Sequence, residues 1–340
     1  MRAPFLVRAP VTSLAPIAAH ADASKAWSAA KANLPSDATI VAGVNFGAIA
    51  KSQIFTEMFP KLVASNADLK DFLDLAKSSC GIDPVTAVAG AVIATDAAKT
   101  SGVVYLALNG VDQAKLASCA DKLAQAKGKK DEKITFKKDG NIVEVSSSTH
   151  ADKHVFYGWI GTDVIVIPKD GDKAGLQRWM GGKGFATSAL GKVVGKVNTG
   201  AAAWGATTES KAVQPGMNMK GGYGTLDVTK GVITIGAHVV LGSAAEATKA
   251  ASEANTQLGQ LKTSGQLPAM FNSLLASLKV TSAADELVVG ASAPEKDVLA
   301  VAQMAMAMGA LGGGGGSSNP TPPPPPPPHT TSPGLGGAKP

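Results

Sequence analysis

The chain of 340 residues carries a formal net charge of +6, and it is 45% hydrophobic and 17% charged. This composition supplies ample apolar surface for a core and excludes a wholly disordered chain, a collagen and a coiled coil. At about 150 residues per domain, the length fits two domains or one large one. The longest apolar run, Val85–Ala94, is about half as long as the roughly 18 residues of a membrane span, so the sequence predicts no transmembrane helix.

The positive charge does not indicate a specific nucleic-acid partner. Only three arginines occur, Arg2, Arg8 and Arg178, and the first two lie in the N-terminal segment. Readout of base edges and phosphates depends on the guanidinium fork, which lysine lacks. The densest lysine stretch, residues 127–138, is interrupted by acids, so it is interpreted as the solvated rim of a hairpin.

Residues 1–21 have the three parts of a secretory signal. They contain two arginines and no acid, an apolar stretch from Val11 to Ala19, and Ala19-His20-Ala21 before Asp22. Two prolines interrupt the apolar stretch, so a mis-chosen start codon or an ordinary disordered N-terminus stays open. The pattern predicts export to the periplasm or beyond, with a cytoplasmic location as the alternative.

A first α+β unit is predicted over residues 36–197, after a helical lead-in at 22–35. Asp139-Gly140 and Gly161-Thr162 stand between alternating apolar segments and predict two hairpins. Further strands are expected at 39–46, 85–95 and 102–108, and helices at 47–65, 68–80, 111–127, 172–180 and 186–197.

A second unit, residues 198–310, echoes the first. Lys230-Gly231 predicts a hairpin, a long Ala-rich helix is expected over 243–261, and an amphipathic segment over 267–278. The segment 161–166 and its following helix match 284–289 and its following helix, and 103–123 matches 232–254. A self-similarity of this length favours duplication of one α+β unit. The predicted fold is therefore two related units of mainly antiparallel sheet with helices packed on one side.

Residues 311–340 are predicted to be a disordered tail rich in Gly and Pro. Gly312–Gly316 reads as a hinge, and Pro322–Pro328 as a polyproline rod of roughly 22 Å. The tail is interpreted as a spacer; the alternative is that it is a ligand for a polyproline-recognising groove, through which a cell-envelope partner would bind.

The two cysteines, Cys80 and Cys119, fall on the apolar faces of two predicted helices. In an exported chain they would pair and close a loop of about 40 residues, whereas in the cytoplasm they would be inert core thiols. No His and Asp constellation accompanies either one, which argues against a catalytic cysteine.

No motif of the chain predicts an active site, a cofactor site or a metal site. The segment 186–193 lacks the first Gly and the Ser or Thr of a phosphate loop, and 290–294 lacks the second Gly of a nucleophile elbow. His150 and His154 lie at a turn entering a strand, where their spacing does not converge on a metal. Asp68, Asp71 and Asp74 are typical of a solvated helix face.

Three motifs carry a resemblance to a known family: Pro35-x-Asp37-Ala38, Cys80-Gly81-Ile82-Asp83-Pro84 and Leu116-Ala117-Ser118-Cys119. In these the chain resembles an uncharacterised family of secreted or lipoprotein-type proteins of myxobacteria, closely over residues 34–197 and loosely over 198–310. The family has no known activity. The resemblance implies export and pairing of Cys80 with Cys119.

Two functions are consistent with these features. The first is a non-enzymatic extracytoplasmic protein, structural or binding, with a C-terminal spacer. The second is an enzyme or small-ligand carrier whose site is assembled from residues distant in sequence. A deep pocket with convergent titratable groups would favour the second, and a shallow or purely apolar groove would favour the first.

Overall fold

The structure is a computed structural model that describes residues 23–99, 101–126, 133–214, 217–264, 268 and 271–307. The predicted signal segment and residues 127–132 of the predicted lysine-rich rim lie outside these residues, as do residues 311–340, the predicted C-terminal tail. The chain divides into two units, Met1–Val301 and Ala302–Pro340. The first holds every described strand, and of the second only the last residues of one helix are described.

Groups of helices and groups of strands follow one another along the described chain. The helices are α1 Ala23–Asn33, α2 Phe46–Ile49, α3 Gln53–Ser65, α4 Ala67–Cys80, α5 Pro84–Ala87, α6 Gln113–Ala126, α7 Lys173–Met180, α8 Ala189–Val194, α9 Ala244–Ser264, α10 Asn272–Ser277 and α11 Glu295–Ala307, with a short 3-10 helix at Phe185–Thr187. The strands are β1 Ala38–Asn45, β2 Val88–Asp96, β3 Gly102–Leu108, β4 Ile134–Asp139, β5 Ile142–Ser147, β6 His150–Ile160, β7 Val164–Pro168, β8 Ala203–Thr207, β9 Lys211–Gln214, β10 Met217–Met219, β11 Gly221–Thr229, β12 Val232–Val240, β13 Lys279–Ala283 and β14 Glu286–Pro294.

Twelve of these strands form one sheet in the order β13-β14-β12-β11-β8-β1-β2-β3-β7-β6-β5-β4, and β9 and β10 form a separate pair. Every described pairing is antiparallel. The predicted α+β class with a mainly antiparallel sheet is therefore confirmed. The hairpins at Asp139-Gly140, Gly161-Thr162 and Lys230-Gly231 form as predicted, because Gly140, Gly161 and Gly231 adopt the positive φ that these turns require.

One predicted strand begins later than expected. Residues 84–87 form helix α5, and β2 starts at Val88. The side chain of Asp83 accepts a hydrogen bond from the Val85 backbone N–H at 3.1 Å, and Pro84 occupies the first helical position. This cap and proline nucleate a helical turn inside an apolar stretch that resembles a strand.

The two faces of the sheet are defined by alternate residues of each strand. Face A carries Val41, Tyr105 and Trp204, which pack in the largest core cluster. Helices α1, α7 and α8 contribute to the same cluster. A Cβ atom on Gly43 would overlap the indole of Trp204, so β1 needs glycine where this ring crosses it.

Face B carries the intervening residues, and the helices that the structure describes cover its two ends and not its middle. Leu116 of α6 packs against Leu106 of β3, and Ala247 of α9 packs in a cluster with Val239 and Leu287. Helices thus lie on both faces of the sheet, whereas the sequence places them on one. The physical reason is that β3 and β7 carry large apolar side chains in both alternating sets, so both of their faces must be buried.

The strand order of the two halves agrees. The order β1-β2-β3-β7-β6 runs outward from the middle of the sheet on one side, and β8-β11-β12-β14-β13 runs outward on the other, with β1 paired to β8. Both segment pairs that match in sequence occupy equivalent places in the two halves. The unit β3-α6 of the first half corresponds to β12-α9 of the second, and the β6-β7 hairpin corresponds to the β13-β14 hairpin. This agreement supports duplication, while the boundaries 36–197 and 198–310 stay a prediction.

Candidate binding site

An uncovered apolar trough lies in the middle of face B, between the parts of the sheet covered by α6 and α9. Its volume is about 500 Å³, and all of its lining residues belong to β1, β8, β11 and β12. We use the name "the trough" for the surface formed by Ile40, Ala42, Ala203, Gly205, Thr207, Gly222, Gly224, Leu226, Ile235 and Ala237.

The floor of the trough is a row of four small residues that are direct cross-strand neighbours. Ala42 pairs with Gly205, Gly205 with Gly224, and Gly224 with Ala237. Ile40 rises on one side of this row and Leu226 on the other. Small residues beside larger aliphatic ones therefore make a channel that crosses the strands.

The glycines of β11 are required by the backbone as well as by the channel. A Cβ atom on Gly224 would lie 2.7 Å from the carbonyl oxygen of Gly236, and one on Gly222 would lie 2.8 Å from that of His238. Strand β12 approaches too closely for a side chain at these positions. The floor consequently exposes main-chain atoms that are already hydrogen-bonded within the sheet.

The trough contains no titratable group among the residues that the structure describes. Its only polar side chain on face B is that of Thr207, because Tyr223 and Thr225 belong to the alternate set that points to face A. A surface of this kind binds by removing apolar area from water. Its one hydroxyl, that of Thr207, accepts a hydrogen bond from the Glu209 backbone N–H at 3.0 Å, and no acid or base lies among the lining residues.

Apolar residues also lie exposed around the trough. Ile93 of β2 pairs with Ala42, and its side chain is 51% exposed, so the apolar surface continues onto β2. Ile235 in the trough is 41% exposed. Isolated exposed aliphatic residues are ordinary, whereas exposed residues that adjoin an apolar groove enlarge a surface on which a partner can be bound.

A cluster of polar side chains on face A surrounds Glu286, at the start of β14. Its carboxylate accepts hydrogen bonds from Lys196 Nζ at 2.7 Å and Tyr223 Oη at 2.9 Å, and it lies 2.9 Å from His238 Nδ1. The rings of Tyr223 and His238 stack with centroids 4.4 Å apart. The Glu286 side chain is only 12% exposed.

The environment of this cluster shifts two pKa values. Burial alone would raise the pKa of Glu286, but hydrogen bonds from Lys196, Tyr223 and His238 outweigh it and hold the pKa below its ordinary value. Burial, followed by the hydrogen bond to Glu286, raises the pKa of Tyr223 to about 12. Glu286 is therefore an anion that ties the end of α8 to β11, β12 and β14.

The side chains of this cluster are hydrogen-bonded to one another. A carboxylate and an imidazole activate a nucleophile only when a hydroxyl or thiol reaches the other ring nitrogen. No such group of the described chain is hydrogen-bonded to His238. Each oxygen of Glu286 is engaged by another side chain, so the arrangement serves as a structural anchor.

Cys80 and Cys119, the predicted site residues, form a disulfide in the structure, and their Cα atoms are 4.9 Å apart. The bond joins the end of α4 to the middle of α6, and Ile82 and Val111 pack beside it. The two helices lie on the covered end of face B, away from the lining of the trough. The disulfide therefore contributes to the scaffold.

Other predicted features occupy solvated positions. Asp68, Asp71 and Asp74 are exposed on α4, and Lys137 and Lys138 are exposed on β4. The imidazole of His154 lies 2.7 Å from a carboxylate oxygen of Glu144. Within the described ranges, no group of three or more His, Cys, Asp or Glu residues is placed to hold a metal.

Sequence reasoning found neither the trough nor the Glu286 cluster. The trough residues are Gly, Ala, Thr and aliphatic residues from two segments about 160 positions apart, and none belongs to a motif. The available signal is the small-residue content of 201–206, 221–224 and 235–237, which weakens a strand unless something must approach its backbone.

No family model and no curated protein matches the chain. Solved structures with a similar chain path include crystal form III of TP0453, which is 8% identical with a TM-score of 0.42 and covers 80% of this chain and 96% of that one. Crystal form IV of TP0453 is 10% identical with the same TM-score of 0.42, and it covers 81% of this chain and 98% of that one. In the described part of the chain, no helix has the length and apolarity needed to cross a membrane.

Proposed function

We propose that this chain is a non-enzymatic, extracytoplasmic binding protein whose ligand site is the trough. The observation that carries the proposal is the chemistry of that surface: a shallow, contiguous apolar channel with no titratable side chain. The sequence leaves a binding protein and a catalyst as alternatives, and such a groove favours the first.

The catalytic alternative has less support. The richest set of titratable groups, Glu286 with Lys196, Tyr223 and His238, lies on face A, on the opposite side of the sheet from the trough. A substrate in the trough could not reach these groups through a hydrogen-bonded sheet. The carboxylate is also occupied by its three neighbours, which leaves it unavailable as a base.

The extracytoplasmic location is supported by two independent features. The basic, apolar and Ala-x-Ala pattern of residues 1–21 is that of a secretory signal. The Cys80–Cys119 disulfide persists in oxidising compartments and is rare in the cytoplasm. We propose membership of the uncharacterised myxobacterial family on the same motifs, Pro35-x-Asp37-Ala38 and the two cysteine segments.

Binding of the neutral apolar dye Nile red tests the proposed site. We expect the wild-type chain to enhance the dye fluorescence, and Ile235→Glu to reduce the enhancement at least fivefold, because a carboxylate in the trough must stay hydrated. The matched control is Val155→Glu, since Val155 is another β-branched residue on the sheet, is 51% exposed and lies outside the trough.

Both variants are compared with the wild type by thermal unfolding, so that a loss of fold is separated from a loss of site. Equal fluorescence for wild type, Ile235→Glu and Val155→Glu would show that the trough is not the binding surface. Equal loss in both variants would assign the dye to a general apolar surface and would contradict the proposal.

A further inference from the structure

Strand β13 leaves one edge of the twelve-stranded sheet open. It is the last strand in the sheet order and pairs with β14 alone. The two strands join at the two-residue turn Ala284-Asp285, so the residues that flank this turn, Ala283 and Glu286, exchange hydrogen bonds with each other. Because hydrogen-bonded and non-hydrogen-bonded pairs alternate, the main-chain groups of Val280 and Ser282 point away from β14.

Two side chains identify the open groups of this edge. The Asn255 side-chain amide of α9 donates to the Val280 carbonyl at 2.9 Å, so this carbonyl points outward. Beyond the end of β13, the Ser277 hydroxyl accepts from the Ser292 N–H at 2.9 Å, on the side of β14 where β13 pairs. None of the residues that the structure describes bonds the Val280 N–H or either main-chain group of Ser282. Such groups are a template for an extended chain.

A groove of about 340 Å³ runs between this edge and helix α9. Its lining consists of one helix face, Asn255, Leu258, Gly259 and Lys262, and of residues 278–281. Gly259 lies in the interior of a 21-residue helix, where only proline forms helix less readily, and a Cβ atom there would meet nothing within 4 Å. Helix α9 therefore leaves open space beside the edge strand.

The lining of the groove is basic. It contains Lys262 and Lys279, both exposed, and no Asp or Glu stands among its described residues. A second copy of this edge would bring two more lysines to the same place, and like charges across a strand pair are destabilising. An extended segment with acidic residues supplies main-chain partners and the opposite charge together.

The direction of α9 determines where its lysine meets an added strand. Thr248 Oγ1 lies 3.5 Å from Ser282 Oγ, and Asn255 bonds Val280, so α9 runs antiparallel to β13. The next step of equal length along the helix reaches Lys262, which places it beside the start of β13.

We infer that the edge of β13 and the groove beside α9 bind an extended acidic peptide segment, which adds a strand to the sheet. In an antiparallel strand, the residue opposite Val280 projects to face B, where Leu258 and Leu278 provide apolar contacts. The next residue lies opposite Lys279, and the one after it lies beside Lys262. The matching sequence is therefore an aliphatic residue followed by two acids. This surface is separate from the trough, so the inference does not depend on the proposed function.

Amide hydrogen exchange measured by NMR tests the inference with the peptide acetyl-Thr-Thr-Val-Glu-Glu-amide. In the free protein we expect fast exchange at the Val280 and Ser282 amides and slow exchange at the Thr281 amide, because only Thr281 bonds within the ladder. At a peptide concentration of about ten times the Kd, exchange at Val280 and Ser282 should slow about tenfold. Fluorescence anisotropy of a fluorescein-labelled copy of the peptide measures the Kd.

Three variants assign the binding to the groove. Gly259→Leu puts a better helix former into the open space, so it should keep the fold while weakening peptide binding about tenfold. Lys262→Glu and Lys279→Glu should each weaken it about fivefold, and both should bind acetyl-Thr-Thr-Val-Lys-Lys-amide more tightly than the wild type does. The matched control is Lys122→Glu, at an exposed lysine of α6 outside the groove, which should leave the Kd unchanged.

The outcomes that would overturn the inference are distinct from those that test the trough. Slow exchange at Val280 and Ser282 in the free protein at every concentration would show that the edge is already paired. Protection that grows with protein concentration, with a dimer by analytical ultracentrifugation, would assign the edge to a second copy. Equal binding of the Glu-Glu and Lys-Lys peptides would exclude recognition of the acids. Displacement of Nile red by the acidic peptide would place it in the trough, which would overturn this inference and leave the proposed function standing.

Discussion

The side chain of Glu286 joins three separate segments of the chain through hydrogen bonds to its carboxylate. It begins β14, and its carboxylate gathers Lys196 from the end of α8 with Tyr223 and His238 from the two strands beyond. The charge is stable there because two of its neighbours are donors and one is a cation. A carboxylate held in this way is ionised in the folded state at pH values where an unfolded chain would begin to protonate it.

The lowered pKa of Glu286 predicts a loss of stability in acid. Its stabilising contribution is complete above the unfolded pKa of 4.5 and is lost as the pH falls through the lower folded pKa. We expect Glu286→Gln to be about 1–3 kcal/mol less stable than wild type at pH 7, and to lose less free energy of unfolding than wild type between pH 5 and pH 3. Urea unfolding at several pH values measures both differences.

The control for Glu286 is Glu253→Gln, in the exposed part of α9, where the carboxylate makes only a long ion pair of 3.9 Å with Lys249. That variant should unfold with the wild-type pH dependence. Parallel curves for wild type and Glu286→Gln below pH 5 would contradict the assignment of the cluster as an acid-sensitive anchor.

At the scale of the element, helix α3 is held in place by hydrogen bonds at its N-terminus more than by burial of its side chains. None of its described residues is buried, although the stacked pair Phe55 and Phe59 gives it an apolar stripe. Its first turn is held by two acceptors: Ser52 Oγ accepts from the Phe55 N–H at 3.1 Å, and Glu295 Oε1 accepts from the Ile54 N–H at 2.8 Å. A carboxylate at this end also suits the helix dipole.

Removal of the Glu295 acceptor is expected to loosen α3. Glu295 is 5% exposed and is 241 positions away from Ile54, so this bond joins two distant segments of the chain. We expect Glu295→Ala to lower the free energy of unfolding by about 1–2 kcal/mol and to speed amide hydrogen exchange at Ile54. Urea unfolding measures the change in free energy, and NMR measures the exchange rate of the Ile54 amide.

The comparison variant for α3 is Ser52→Ala, which removes the neighbouring cap and should cost about 1 kcal/mol. It should accelerate exchange at Phe55 more than at Ile54, because each acceptor serves its own N–H group. Unchanged exchange at Ile54 in Glu295→Ala would show that the carboxylate does not cap the helix.

At the scale of the whole molecule, the two halves repeat one strand order within a twelve-stranded sheet, and a disulfide cross-links two of the helices. The halves join through β1 and β8, both of which are interior strands. The disulfide closes a separation of 39 residues and joins α4 to α6 outside the sheet. A loop of this length corresponds to about 3–4 kcal/mol on the chain-entropy model.

Export and the disulfide predict a joint result for protein recovered from its native cells. We expect it in the extracytoplasmic fraction, with a mature N-terminus at Asp22 and no free thiol when it is unfolded without reductant. N-terminal sequencing identifies the first residue of the mature chain, and thiol titration counts the free thiols. The Cys80→Ala/Cys119→Ala double variant, which has no cysteine, gives the background signal of the titration. Two titratable thiols, or a cytoplasmic chain that begins at Met1, would contradict the proposed location.

The sequence by itself determined the features that depend on neighbouring residues. The turns at Asp139-Gly140 and Lys230-Gly231 need a positive φ and strands beside them, and the short apolar runs of β3 and β12 are typical of strands. The helical spacing of apolar residues in α4 and α6 likewise predicts that Cys80 and Cys119 face a core. Local periodicity and turn chemistry carry this information without any knowledge of the fold.

Only the tertiary structure decided the site. Ala42, Gly205, Gly224 and Ala237 have no chemical signature, and they become a channel only because four strands pair in one register and none of the described helices covers that part of face B. Glu286 likewise meets Lys196, 90 positions away, through the order of the strands. Cross-strand pairing at long sequence separation is set by the whole sheet, so neither site could be read from any local pattern.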